Sequence, residues 1–391
     1  MKKVGLWIQT SLLWTTSLFS QSLDLFGYFE SQFMAALVNS EILQMQSNKI
    51  RLNFESDYNL VHFGANINAL TYHGKTDWAI PDYLPENVVE EIPVALHSYY
   101  TITFQDEWIL DNAYIRLAFD KWDLTLGKQQ ISLGSGYAWN PTDLFNQKDL
   151  FDPTYEQSGH NAVRFDIPFA SRVNCMFLYE PDDDWSRSSK LVSIKTGLGR
   201  FDYTLMAIEK GWTIHDYTAF SGFDFQKILD TRRMLGGSLV GELFRWGVWL
   251  EGGYNRMKNS DNFYEITAGM NYTFDFQTYF IIEYYHNSMG QTRKIDYTLN
   301  DWMRYLASEQ KALNRDQLYL LIQHPISDLT DLGISAVGAG DGSIALVPTL
   351  HSTPFENGEL LAYANLYLGP ENAMFNRNLG NGGLIRLRVY F

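Results

Sequence analysis

The sequence predicts an all-β fold: a transmembrane, antiparallel, up-and-down barrel of about 16 to 18 strands, with 18 favoured. Apolar and polar residues alternate with period 2 from Leu23 onward, as in residues 49–55 (KIRLNFE). The links between the alternating stretches form a tight set and a long set, which take turns along the chain. The chain also ends in an alternating strand, GGLIRLRVYF, where a soluble domain usually frays.

The lengths of the links predict how the barrel is oriented. The tight links are residues 57–59, 119–122, 169–172, 199–202, 244–245, 274–277 and 325–328. The long, polar links are residues 74–107, 134–159, 180–189, 211–231 and 287–315. Outer-membrane barrels have short periplasmic turns and long outer loops, so both chain ends are expected on the periplasmic side. A soluble double sheet also alternates, but its links do not separate in this way.

Residues 1–22 are predicted to be a signal peptide, and residues 23–391 a single barrel domain. Met1, Lys2 and Lys3 form a short basic start, an apolar stretch follows, and residues 20–22 (SQS) are small enough for cleavage. No apolar run in the body of the chain reaches the roughly 18 residues of a membrane-spanning helix. These features predict a location in the outer membrane of a Gram-negative bacterium.

Composition excludes several classes of function. The net charge of -15 opposes binding to nucleic acid or to an anionic lipid surface through bulk charge. The single cysteine, Cys175, cannot form an internal disulfide. The eight histidines are scattered without a metal-binding spacing, so neither a metal nor another cofactor is expected.

The last strand is predicted to close the barrel. Its apolar face is expected to meet lipid and its polar face the bore: the first face holds Ile385, Leu387, Val389 and Phe391, and the second holds Arg386, Arg388 and Tyr390. Only a closed sheet can satisfy every backbone group in lipid, which places Phe391 at the periplasmic interface. A terminal Phe after alternating aromatics resembles the C-terminal signature of bacterial outer-membrane proteins. That resemblance implies recognition by the barrel-assembly machinery; outer-membrane lipid and lipopolysaccharide are further expected partners.

Charged residues at the alternate positions are expected to line the bore. The basic ones are Arg51, Arg116, Arg164, Lys195, Arg386 and Arg388, and the acidic ones are Glu251, Glu265 and Glu283 on three successive strands. Around a closed barrel the two sets fall on roughly opposite walls, which predicts an electric field across the pore. The alternative is that each charge is paired locally, since Glu30, Glu55 and Asp166 interrupt the basic wall.

The long link Gly134–Gly159 is a candidate constriction loop. It contains Trp139 and several other large apolar residues, too many for a loop that lies in water. Asn140 before a proline predicts a short helical turn. We expect the loop to narrow the pore, with Asp143, Asp149 and Asp152 facing the basic wall; a lid packed on the barrel rim is the equal alternative.

The segment Leu124–Pro168 resembles a segment of porin-like outer-membrane barrels from largely uncharacterised families. Those proteins typically show Gly-Arg-Gln in the strand and then an aromatic-Asn-Pro-x-Asp loop. This chain has Gly127-Lys128-Gln129 and residues 139–143 (WNPTD), with Lys128 where the arginine usually stands. The resemblance implies an outer-membrane channel and leaves the solute open.

The predicted function is passive diffusion of small hydrophilic solutes, such as ions, sugars or oligosaccharides, which needs no catalytic residue. One alternative is a serine hydrolase, because residues 283–290 (EYYHNSMG) resemble the His-x-Ser-Asn-Gly motif of outer-membrane phospholipase A. His286 and Ser288 would share a strand face, but Met289 replaces the Asn and no third residue to orient the histidine can be identified. The other alternative is a transporter of hydrophobic solutes past the aromatic residues Trp249, Tyr279, Tyr363 and Tyr367. A homo-oligomer is left open.

Overall fold

The computed structural model describes residues 23–152, 155–221 and 224–391. The predicted signal peptide, residues 1–22, lies outside this range. The strands are β1 Leu23–Val38, β2 Glu41–Tyr58, β3 Val61–Gly74, β4 Asp77–Ala79, β5 Thr101–Thr103, β6 Glu107–Phe119, β7 Trp122–Gln129, β8 His160–Ala170, β9 Val173–Glu180, β10 Ser189–Leu198, β11 Phe201–Ser221, β12 Asp224–Leu243, β13 Trp246–Met257, β14 Phe263–Thr273, β15 Tyr279–Asn287, β16 Asp316–Ser327, β17 Thr330–Ala339, β18 Ile344–Phe355, β19 Gly358–Leu368 and β20 Asn381–Tyr390.

Eighteen of these strands form one antiparallel sheet in which β20 pairs with β1, so the sheet closes into a barrel. The predicted fold class is confirmed, with the favoured strand number. The remaining two, β4 and β5, form a small two-stranded antiparallel sheet in the link between β3 and β6. Beyond the last strand, the Phe391 amide donates to the Gly27 carbonyl and its carbonyl accepts from the Gly27 amide, both at 3.0 Å. The closing role predicted for the last strand is therefore confirmed.

Side chains alternate between the outside and the bore, as the period-2 pattern predicts. On β13, Leu250 and Tyr254 are exposed on the outside, whereas Glu251 and Asn255 are buried inside. On β20, Ile385 is exposed on the outside and its neighbour Arg386 is buried inside. The outer surface is therefore an apolar belt, as a bilayer requires.

The prediction of a long link at residues 211–231 is wrong. The strands β11 and β12 continue through most of it and reach 21 and 20 residues. A crossing strand needs only about 9 to 11 residues, so the pair extends well beyond the membrane. Their backbone ladder remains in register from Gly211↔Thr231 to Asp216↔Gln226 and then shifts before Phe220. Paired strands and polar loops both tolerate this alternating sequence, so the pattern alone did not separate them.

The outer loops carry the short helices of the chain. The α-helices are Glu86–Val89 and Leu299–Leu306, and the 3-10 helices are Ile80–Tyr83, Val94–Tyr99, Trp185–Arg187, Lys294–Asp296 and Arg377–Leu379. Within the described residues, none of the helices has the length and apolarity that a membrane crossing requires. Thr298 and Asp301 form a reciprocal capping box that begins the helix Leu299–Leu306.

These outer loops share a hydrophobic core that covers part of the barrel mouth. Val88, Leu299, Trp302 and Phe375 come from three different loops and are all at most 1% exposed. Polar contacts join the same loops: the Leu299 amide donates to Glu91 at 3.2 Å. Packed loops therefore cover part of the outer mouth of the barrel.

Candidate functional site in the bore

The link between β7 and β8 enters the barrel, and we call its residues 134–159 the inner loop. Its first part is held by Glu251, which points inward from β13 and is buried. Oε2 of Glu251 accepts from the Ser135 and Gly136 amides at 2.5 and 3.2 Å, and Oε1 accepts from the Thr142 amide and hydroxyl, both at 2.8 Å. A buried carboxylate is costly unless such donors surround it, so Glu251 and the loop stabilise each other.

Glu283 on β15 binds the next residues of the inner loop in the same way. Its Oε1 accepts from the Ala138 and Trp139 amides, both at 2.9 Å. Its Oε2 accepts from the Tyr137 amide and from the indole Nε1 of Trp249, both at 2.5 Å. All four donors converge on one fully buried carboxylate. The two glutamates therefore fix residues 135–142 against the wall formed by β13–β15.

The far part of the inner loop is anchored on a different wall. Oδ2 of Asp152 lies 2.5 Å from Nη2 of Arg386 on β20. Glu156 accepts from Nζ of Lys49 at 2.6 Å, from Nη1 of Arg51 at 2.8 Å and from the hydroxyl of Tyr28 at 2.5 Å. The walls β13–β15 and β20–β1–β2 are separated by eight strands on one side of the barrel and by four on the other. The inner loop therefore crosses the bore.

Two lysines add contacts to backbone carbonyls of the inner loop. Nζ of Lys311, from the link between β15 and β16, donates to the carbonyls of Asn140, Pro141 and Asp143. Burial lowers the pKa of Lys311, although nearby carboxylates act against this. Nζ of Lys148, within the loop itself, donates to the carbonyls of residues 136 and 137 at 2.5 and 2.9 Å. The loop is thus clamped from the outer side as well as from the walls.

The predicted details at residues 139–143 are correct only in part. Trp139 is buried and stacks on Tyr285, with ring centroids 5.1 Å apart and planes 7° apart. Residues 140–143 form a single turn, with the Asp143 amide donating to the Asn140 carbonyl, and no helix begins there. The Asn140 side chain does not cap this turn: its Oδ1, the atom that a cap would use, accepts no hydrogen bond from the described residues, and its Nδ2 donates to the Leu133 carbonyl at 3.0 Å.

Of the three aspartates predicted to face the basic wall, Asp152 does so through Arg386. Asp143 does not: its carboxylate accepts from the Leu133, Phe145 and Asn146 amides and so shapes the loop itself. Asp149 accepts from the amides of residues 151 and 152. Short polar side chains commonly bond to backbone amides a few residues away, and at Asp143 and Asp149 this local bonding prevails.

The inner loop divides the bore into several cavities. An outer cavity of about 340 Å³ lies between the loop and the helix Leu299–Leu306. An inner cavity of about 350 Å³ lies between the loop and β16–β19, with Tyr137, Tyr155 and Tyr319 in its wall. Residues 148–151 line both cavities, so this short stretch of the loop is the partition between them.

A third cavity, of about 610 Å³, lies beside the anchor at Glu156 and is lined by β1, β2, β3, β6, β7, β8 and β20. We call it the basic cavity. Its ionisable lining residues include four arginines and two glutamates: Arg51, Arg116, Arg164, Arg388, Glu55 and Glu156. The partners of three of these arginines, Asp111, Asp166 and Glu30, do not line it. The wall therefore presents more positive than negative groups to the cavity.

Arg116 differs from the other arginines of the basic cavity. Among residues 23–152, 155–221 and 224–391 it makes no ion pair, and it is exposed. Arg164 is paired with Asp166 at 2.7 Å, and Arg388 with Glu30 at 2.6 Å. Lys195 lies elsewhere, near the periplasmic end of β10, 3.6 Å from Asp202. Local pairing, the alternative left open by the sequence, thus applies to most of the basic set.

The acidic set faces inward but does not line an open pore. Glu251, Glu265 and Glu283 are at most 1% exposed, because the inner loop and its neighbours cover them. Glu265 pairs with Arg232 on β12 at 2.7 Å and accepts from the hydroxyl of Tyr285 at 2.7 Å. These three carboxylates are therefore covered and do not meet solvent in the bore, and the field across the pore stays a prediction. The sequence analysis did not identify Arg232, although the alternation along β12 assigns its side chain to the bore.

The residues of the hydrolase alternative do not assemble into a catalytic pair. Nδ1 of His286 lies 2.8 Å from Oδ1 of Asp316, so an orienting residue absent from the sequence prediction does exist. Nε2 of His286, however, has no hydrogen-bond partner among the described residues. The Ser288 hydroxyl accepts from the Tyr264 amide at 2.9 Å instead. His286 stacks on Tyr264, an exposed residue of the outer surface.

The aromatic residues of the hydrophobic-transporter alternative are largely occupied by packing. Trp249 is buried against Glu283, and Tyr367 belongs to the core that underlies the outer loops. Tyr279 accepts from Nδ2 of Asn271 at 3.1 Å.

The described residues contain no group of three or more His, Cys, Asp or Glu side chains that could hold a metal ion.

Comparison with known proteins supports the fold. No protein-family model matches the sequence, and no curated protein matches it. Solved outer-membrane porins match its structure. OccAB2 of Acinetobacter baumannii aligns over 95% of this chain and 98% of its own length, with a TM-score of 0.57 and 9% identity. OccAB3 of the same species aligns over 95% of this chain and 99% of its own length, with a TM-score of 0.56 and 10% identity. OccK11 of Pseudomonas aeruginosa aligns over 95% of this chain and 96% of its own length, with a TM-score of 0.54 and 7% identity.

The fold is thus that of an outer-membrane β-barrel of the porin type. At these identities the similarity is one of fold, and it confirms the predicted porin-like barrel. The predicted outer-membrane location follows from that fold.

Proposed function

We propose that the chain is a passive diffusion channel for small hydrophilic solutes and that the basic cavity gives it a preference for anions. The observation that carries the proposal is the lining of this cavity, which has a volume of about 610 Å³ and is lined by four arginines and two glutamates. Fixed charges at a narrow, partly desolvated passage set the sign of the ions that concentrate there. Passive diffusion requires no cofactor and no catalytic residue.

Arg116 contributes most to this preference. Its guanidinium is exposed and has no ion-pair partner in the described part of the chain, so a passing solute meets its full charge. Arg51 and Arg388 are largely compensated by Glu156 and Glu30. The inner loop limits solute size, since its anchors hold it across the bore. Recognition by the assembly machinery, contact with lipopolysaccharide and a homo-oligomer remain predictions.

The test is the conductance of the refolded protein in a planar bilayer under a salt gradient. We expect stepwise openings and a reversal potential of the sign that anion preference gives. Arg116→Glu changes the lining balance from four cations and two anions to three of each, and should move the reversal potential toward cations. Arg200→Glu is the matched control, because Arg200 is exposed in a periplasmic turn outside the basic cavity.

Two outcomes would overturn the proposal separately. A correctly folded barrel that never opens would refute the channel itself. An open channel whose reversal potential is equally unaffected by Arg116→Glu and Arg200→Glu would refute the role of the basic cavity and leave the channel standing.

A further inference from the structure

A row of charged side chains runs across the outside of the barrel near its outer end. Lys190 on β10, Glu209 on β11, Arg233 on β12 and Arg256 on β13 are successive cross-strand partners. We call these four residues the cationic row. Nζ of Lys190 lies 3.0 Å from Glu209, and Nε of Arg233 lies 2.7 Å from the same carboxylate. Two cations thus share one anion, and with Arg256 the row carries an excess of two positive charges.

The cationic row borders the apolar belt. Two residues closer to the periplasm, the outward positions on the same strands and on β14 are Val192, Ala207, Leu235, Tyr254 and Tyr264, which are again successive partners. Leu235 is 69% exposed and Tyr254 53%, so this band is available to lipid. Arginine on the lipid face is strongly destabilising at the bilayer midplane and only weakly so at its edge. The cations therefore lie at the height of the headgroups in the outer leaflet.

The cationic row is not repeated on the opposite side of the barrel. Across the barrel, the outward positions near the outer ends of β2 and β3 include Gln44, Gln46 and Thr71, which are uncharged. A general need for solubility at the rim would not concentrate cations on β10–β13. Their concentration points to a ligand of opposite charge at this place.

We propose that the cationic row binds the phosphate groups of a phosphorylated lipid in the outer leaflet. A guanidinium presents two parallel donors that match phosphate oxygens, and two arginines are available here. Arg256 makes no ion pair within the described residues, so its donors are available to such a ligand. Glu209 holds Lys190 and Arg233 in place without neutralising both. The apolar band beneath supplies the surface for the acyl chains, which free phosphate would not use.

The experiment is native mass spectrometry of the refolded, detergent-solubilised protein with added lipid A. The arms are bisphosphorylated lipid A, the dephosphorylated lipid and inorganic phosphate. We expect the bisphosphorylated lipid to remain bound and the other two to be lost. Arg233→Gln with Arg256→Gln should weaken lipid binding by about tenfold or more, since each cation near an anionic lipid surface adds to binding.

The matched control is Arg200→Gln with Arg245→Gln, which removes two exposed arginines from the periplasmic turns. Equal binding by the two double variants would overturn the proposal, as would equal retention of the dephosphorylated lipid. Binding of inorganic phosphate as strong as that of the lipid would replace a lipid site by a simple anion site. If the double variant does not fold, Arg256→Gln alone leaves both Glu209 ion pairs intact and should still weaken binding.

Discussion

Glu283→Gln should release the start of the inner loop and open the bore. Glutamine has nearly the shape of glutamate, but one of its two terminal atoms is a donor. In the protein, Oε1 serves the amides of residues 138 and 139, and Oε2 serves the amide of residue 137 and the indole of Trp249. Whichever way the new amide turns, two of the four donors face another donor and lose their acceptor.

The size of the effect follows from those two bonds. A hydrogen bond to a charged group contributes about 1.5 to 3 kcal/mol, so the variant loses about 3 to 6 kcal/mol of the anchoring free energy. Since 1.4 kcal/mol is a factor of ten, the released state of residues 135–142 becomes roughly a hundred to ten thousand times more populated. Trp139 remains stacked on Tyr285 and retains part of the attachment.

Single-channel recording in a planar bilayer measures this population directly. We expect larger and noisier openings for Glu283→Gln than for the parent protein. Glu371→Gln is the matched control, since Glu371 is exposed in an outer loop and its carboxylate takes no part in the anchor. If Glu283→Gln folds as a barrel and its current cannot be distinguished from that of the control, the inner loop does not govern the bore and the reasoning fails.

The other contacts of the inner loop give two further expectations. Glu156→Gln should raise the fraction of time that the channel is open at neutral pH, because Lys49 and Tyr28 no longer donate to a charged carboxylate. A single-channel current trace identical to that of the parent protein would contradict the role of this anchor. Burial raises the pKa of Glu156, but these partners outweigh it and lower the pKa below its ordinary 4.5. The anchor is therefore present above that pH and lost only as the pH falls through the depressed value, which a pH series of the parent protein checks. Lys311→Met should lower the midpoint of thermal unfolding, because three buried carbonyls lose their donor. An unaltered midpoint would show that the contacts of Lys311 do not stabilise the fold.

The sequence predicted the barrel well because a period of two and the spacing of turns are local signals. The alternation along the last strand was enough to assign Arg386 to the bore and Ile385 to the outside. The structure places both side chains as predicted. The same logic failed at residues 211–231, where a polar alternating stretch extends the strands. Local sequence does not state where the membrane stops and the strand continues.

The candidate site was harder to predict, because its contacts join distant parts of the chain. That Glu283 faces inward could be read from β15 alone. That it binds the amides of residues 137–139 could not, since those residues are about 145 positions away. Lys311 gave no signal either, because a lysine in a helical, polar link usually lies in water. Residues that close a loop over a buried carboxylate are identified only once the fold brings them together.

The anchors of the inner loop also carry information about the order of folding. Asp152 and Arg386 are 234 residues apart, and Arg386 reaches its place only when β20 pairs with β1. Contacts of such long range form late, because chain entropy must be lost before they contribute. A barrel that has not yet closed therefore lacks the contact of Asp152 with Arg386, and Glu156 alone holds the far part of the inner loop to β1 and β2. Formation of the Asp152–Arg386 contact is in that sense an internal sign that the first and last strands have met.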